Sequence, residues 1–142
     1  MNNRNKILII GQAPPAQEQE LPYDTTMLYD WLAECGISKE QAQELFTFSS
    51  VSGTLRGVKN GAHMLPLKSE KEQHYKVVLQ PLMLQHEKYI LLGNVAHDFI
   101  ATKTTVNEKY LVLIHPSRRN YSLYIKNKAE IINSLKNFIN SQ

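Results

Sequence analysis

The sequence predicts a three-layer α/β domain with a central, mainly parallel four-stranded sheet and helices on both faces. Three observations predict it. Four short apolar runs alternate with stretches of helical periodicity, the signature of βαβ units. Each run closes on residues suited to a loop or a ligand site: Gly11, Ser49–Ser50, Gly93 and His115. The 142 residues, 42% of them apolar, are enough for one core, and no repeat, biased segment or linker divides them. Residues 1–142 are therefore read as a single domain.

Residues 6–10 form a buried strand, an Ile-Leu-Ile-Ile run ended by Gly11. Residues 11–24 are a loop punctuated by Pro14, Pro15 and Pro22. Thr25 or Thr26 caps a helix running to Cys35, with Met27, Leu28, Trp31 and Leu32 as its apolar face and Gly36 as its stop. Ser38 with Gln41 reads as a capping box for a short helix. Residues 45–51 are a second strand and residues 52–70 a long loop, of the length that is often functional. Residues 70–86 are a helix that Pro81 should kink or interrupt. A third strand over 89–92 leads through Gly93 to a helix over 94–100, and a fourth strand spans 110–114. Ile131, Ile132, Leu135 and Phe138 recur at helical spacing in a closing helix over 125–139.

Composition excludes several classes. With Cys35 alone there is no intramolecular disulfide and no all-cysteine metal or iron–sulfur site. No run approaches the roughly 18 apolar residues of a membrane span. The polar N-terminus lacks the layout of a signal peptide, so a cytoplasmic setting is expected. Net charge is +3 and the isoelectric point about 8.9, mildly basic. Residues 1–50 carry three basic residues (Arg4, Lys6, Lys39) against seven acidic ones, while later positives gather near Arg56, Lys59, Lys68 and Lys71 and near Arg118, Arg119, Lys126 and Lys128. Such runs serve a solvated surface or a phosphate backbone.

A parallel sheet binds ligands beyond the carboxyl ends of its strands, which selects the candidate residues. In Gly11-Gln12-Ala13-Pro14-Pro15, Gly11 permits close backbone approach and Gln12 offers a donor and an acceptor. The spacing is not that of a phosphate loop. In His115-Pro116-Ser117-Arg118-Arg119-Asn120, the imidazole at a strand end can donate to charge developing on a leaving group. Ser117, Arg118 and Arg119 suit phosphate. Tyr23, between prolines, can stack on a planar base. The plainer alternatives are an ordinary Gly/Pro turn, a histidine satisfied by backbone and a half-buried tyrosine. His63, His74, His86 and His97 lack metal-ligand spacing and read as surface or core residues, so no metal site is expected.

These motifs together resemble the uracil-DNA glycosylase superfamily. Over residues 7–37 the chain is similar to its iron–sulfur branch, which reads Gly-Glu-Ala-Pro-Gly, an acidic stretch, Pro-Phe, a leucine-rich helix and Gly-Ile. Here stand Gly11-Gln12-Ala13-Pro14-Pro15, Glu18 and Glu20, Pro22-Tyr23, the helix with Met27 to Leu32, and Gly36-Ile37. Leu91-Leu92-Gly93-Asn94-Val95-Ala96 resembles the superfamily's Leu-Gly-x-x-Ala step, and His115-Pro116-Ser117 its second active-site motif. The resemblance implies that His115 stabilises the departing base, that Tyr23 stacks on it, and that backbone at Gly11, Gln12 and Ala13 meets its edge. Phosphates would be met by Ser117, Arg118, Arg119 and Lys59.

The chain departs from the family in two places. The asparagine that usually ends the second strand falls on Ser49 or Ser50, and the water-activating carboxylate is Gln12 here, or Ala13 by comparison with the best-known branch. The cluster cysteines are absent. Three functions stay open: hydrolysis of the glycosidic bond of uracil or another modified base in DNA, non-catalytic binding of nucleic acid or a nucleotide on the same scaffold, and cleavage of free nucleosides or nucleotides. The expected partner is DNA, single- or double-stranded, or a nucleotide, with no membrane, no cofactor and a monomeric protein.

Overall fold

A computed structural model describes residues 7–11, 26–51, 58–59, 62–63, 68–114 and 121–140, with the backbone alone for Thr26, Met27, Val58, Lys59, Ala62, His63 and Tyr121. The central sheet has four strands, β1 (Ile7–Gly11), β2 (Phe46–Ser50), β5 (Lys88–Leu92) and β6 (Tyr110–Leu113), in the order β2-β1-β5-β6. All three pairings are parallel. Between β2 and β5 the chain also forms a separate two-residue antiparallel ladder, β3 (Val58–Lys59) with β4 (Ala62–His63), inside the stretch expected to be only loop.

β1 is central because all of it is apolar. Side chains alternate across a strand, so Ile7 and Ile9 enter one core while Leu8 and Ile10 enter the other. A strand hydrophobic on both faces must be covered on both. The first face carries α1 (Thr26–Glu34), α2 (Lys39–Leu45), α6 (Tyr121–Lys126) and α7 (Lys128–Asn140) through Leu28, Trp31, Leu32, Ala42, Tyr124, Ile131, Ile132, Leu135 and Phe138. Trp31 is fully buried and stacks on Tyr124 at 5.2 Å. The second face carries α5 (Gly93–Ala101) and the long helix between β4 and β5, through Ala96, Phe99, Ile100, Leu79 and Met83.

Local signals set the ends of α1 and α2. At the end of α1, Gly36 takes φ +82, its N–H bonds Ala33 C=O at 3.0 Å, and Ile37 N–H bonds Leu32 C=O at 2.9 Å. That reciprocal pair is a Schellman motif, and it needs the left-handed residue that glycine supplies. The capping box is present: the Gln41 N–H donates to Ser38 Oγ at 3.1 Å and the Ser38 N–H to Gln41 Oε1 at 2.8 Å.

Two expectations are corrected. Pro81 does not interrupt its helix, which runs from residue 68 to 84 as α3 (Lys68–His74), a π-helical turn (Tyr75–Leu79) and α4 (Gln80–Leu84). The Gln80 N–H reaches back five residues to Tyr75 C=O. Proline has no N–H and its ring crowds the carbonyl four residues earlier, so the wider turn accommodates it without a break. The closing helix is two helices, parted at Asn127, whose side-chain amide donates to Leu123 C=O at 3.0 Å. Asparagine competes with the helix for its own carbonyls in this way.

Candidate functional site

Strand order fixes where a crevice can open. From β1 the chain passes to β2 by helices on the first face; from β5 it passes to β6 by α5 on the second. Helices change face where the strand order reverses, as a uniform crossover hand requires. β1 and β5 are adjacent, so the segments leaving them diverge there, and such a switch point is where open α/β sheets take ligands. Gly93 turns out of β5 at φ +86, a left-handed conformation that puts α5 directly after the strand.

Four strand ends share this edge. Gly11 pairs with Ser50 in β2, and β5 and β6 end in register at Leu92 and Leu113. Gly11 does not turn. It is the last residue of the β1 ladder, and its carbonyl accepts the Val51 N–H at 3.0 Å. The sharp turn expected at Gly11 is thus corrected: pairing with β2 holds it extended, so any turn lies beyond it.

Ser49 and Ser50 are both buried, and with His86 they make up the buried polar residues among those described. Alternation sends them to opposite faces. Ser49 shares the face of Ile10 and Val51, and Ser50 that of Phe46 and Phe48. Lys59 lies in β3. Gln12, Ala13, Tyr23, His115, Ser117, Arg118 and Arg119 lie outside the described residues. Gln12 and Ala13 follow directly on Gly11, and residues 115–120 run between Ile114 and α6.

The structure adds a residue to this edge that reading the sequence missed. His74, the last residue of α3, hydrogen-bonds through its ring to the Ser50 backbone, and its Nε2 is buried without a hydrogen-bond partner. Burial holds the imidazole below its ordinary value of 6.5, and the Ser50 contact opposes that shift. No charged side chain is among the causes. The helix bearing His74 is clasped to α5: Lys103 pairs with Glu72 and lies over the rings of Tyr75 and Phe99, and Tyr75 meets Phe99 edge-on at 5.9 Å. The hydrogen bond from Lys103 holds the Glu72 carboxyl below its usual range.

A pH dependence follows. Unfolded, the His74 ring binds a proton near pH 6.5; folded, it resists until lower pH. Its contribution to stability is whole above about pH 6.5 and is lost as pH falls through the lower folded value. We expect the urea midpoint to drop between pH 7.5 and 5.5, and the drop to shrink in His74→Leu. An equal drop in that variant would assign it to another group.

A groove of about 480 Å³ is lined by Cys35, Gly36, Ile37, Gln41, Glu44, Leu45, Lys136, Ile139 and Asn140. It opens at the other end of the sheet: Lys88, the first residue of β5, donates to Phe138 C=O at 2.9 Å beside it. The strand-carboxyl edge, with its buried polar residues and diverging segments, is the better candidate on chemistry. Among the described residues no three His, Cys, Asp or Glu gather as a metal site, and no helix is long and apolar enough to cross a membrane.

The family model of the uracil DNA glycosylase superfamily matches residues 1–138. No curated protein matches the chain.

Proposed function

Because the chain belongs to the uracil DNA glycosylase superfamily, we propose that it hydrolyses the N-glycosidic bond of uracil or another modified base in DNA. The observation that supports this best is the shared strand edge: the segments carrying the Gly11–Pro15 and His115–Asn120 motifs follow β1 and β6, whose carboxyl ends lie along one side of one parallel sheet. The target nucleotide is flipped out of the stack. Tyr23 stacks on the base, and Gly11 and Ala13 approach its edge together with Ser49 or Ser50. As the bond stretches, negative charge grows on the base, and His115 donates to it. Gln12 orients the attacking water. Ser117, Arg118, Arg119 and Lys59 take phosphates, and the protein works as a monomer.

The test is release of uracil from labelled single- and double-stranded DNA beside free deoxyuridine. Release from DNA should weaken as salt rises, because phosphate contacts free counterions, and Arg118→Glu with Arg119→Glu should abolish most of the affinity. Cleavage of deyoxyuridine alone, untouched by charge reversal, would point to a nucleosidase. DNA binding without release of uracil, hypoxanthine or mispaired thymine would point to a binding protein, which the amide at Gln12 in place of a carboxylate favours.

A further inference from the structure

We infer that His74 is a positioning residue for the base-binding edge: its ring holds the Ser50 backbone, and so fixes the end of β2 beside Gly11 where a ligand is read. The inference rests on the glycosylase reading of that edge.

The protein contains its own comparison. Two histidines of the segment linking β4 to β5 brace β2. His86 does so at Thr47, with both ring nitrogens used, Nδ1 on Leu82 C=O at 2.7 Å and Nε2 on Thr47 Oγ1 at 3.0 Å. It is a buried, fully satisfied structural group. His74 braces the same strand three residues further on, at Ser50, and its Nε2 is left buried and unpartnered. Native structures keep few such groups, because each is costly. A residue chosen for stability alone at this position would be apolar. The cost is kept at the one strand end that pairs with Gly11.

The helix is shaped for the same purpose. The π-helical turn begins at Tyr75, directly after His74. The wide turn rotates α3 relative to α4, so His74 and the Leu79–Met83 stripe can each meet the second face at a different strand level. Turns of this kind occur often at functional sites. Ser49, whose side chain lies on that face, and Ser50, whose backbone His74 holds, stand where the family has its base-reading residue. A short serine has little reach of its own, so the exact placement of this strand end matters more here than it would behind a longer side chain.

The test compares wild type with His74→Leu, His74→Gln and His86→Leu on a short single-stranded oligonucleotide carrying one deoxyuridine, reading kcat/KM and Tm together. Leucine removes the ring contact and the unpartnered nitrogen at once. His74→Leu should lose about tenfold or more in kcat/KM, mostly through KM, while Tm holds or rises. His74→Gln, which can still donate to the Ser50 carbonyl, should recover most of the loss. His86→Leu should lose Tm with kcat/KM little changed. If His74→Leu keeps its kcat/KM, or loses it only in step with Tm, the inference is overturned while the glycosylase reading stands. If wild type neither binds nor cleaves the oligonucleotide, that reading fails and the inference goes with it. Should His74→Leu not fold, the ring 15N resonances of His74 in wild type decide: movement on adding the oligonucleotide supports the role, and no movement overturns it.

Discussion

Replacing His115 with alanine lowers single-turnover release of uracil by about 10²–10³. The size follows from when the interaction forms. Before the bond breaks, the base is neutral and gains little from a donor. At the transition state it carries much of an electron's charge in a site that excludes water, where a fixed donor is worth far more than in solvent. The loss therefore falls on the chemical step, and affinity for the uracil oligonucleotide changes little. The measurement is a single-turnover time course with enzyme in excess, which removes product release from the rate. A variant as fast as wild type would remove His115 from the chemistry.

Gln12→Glu raises the same rate by about 10²-fold or more, the scale on which a general base contributes. Glutamine and glutamate are nearly the same shape, so the substitution tests charge rather than packing. The amide can orient a water but cannot take its proton. A carboxylate can, and its negative charge also favours the cationic sugar left by the departing base. The gain should appear as pH rises through the new carboxyl's titration. In Gln12→Glu combined with His115→Ala, the two effects need not add, since both residues act on one transition state. No gain in Gln12→Glu would show that water activation is not what limits this chain.

Much of the fold was legible because its signals are local. The Ile-Leu-Ile-Ile run announced a strand buried on both faces, and Ser38 with Gln41 announced a helix start. The failures share a physical cause, that the deciding partner lies elsewhere in the chain. A proline in a helical pattern says only that one hydrogen bond is missing. Whether the helix breaks or widens depends on packing, and here Leu79 and Met83 on one side of Pro81 and Tyr75 on the other all lie against the same core. His74 looked like any helical histidine because the backbone it holds, at Ser50, belongs to a strand formed long before it in sequence. The site was legible as a set of strand ends, since Gly11, Ser49–Ser50, Gly93 and His115 each close an apolar run. That Ser49 and Ser50 look to opposite faces required the register with β1.

The order β2-β1-β5-β6 also bears on how the chain comes together. Ile7 pairs with Phe46 on one side and with Lys88 on the other, whereas Tyr89 meets Tyr110 only 21 residues on. Closing the loop from β1 to β5 costs about 1 kcal/mol more in chain entropy than closing that from β5 to β6. The most buried strand is thus the first synthesised and the last whose two neighbours can both be present. Until residue 92 has emerged, Ile7–Gly11 has one open edge and two uncovered apolar faces. The interval between making this strand and enclosing it is the stretch of biosynthesis in which the protein is most exposed to misassociation.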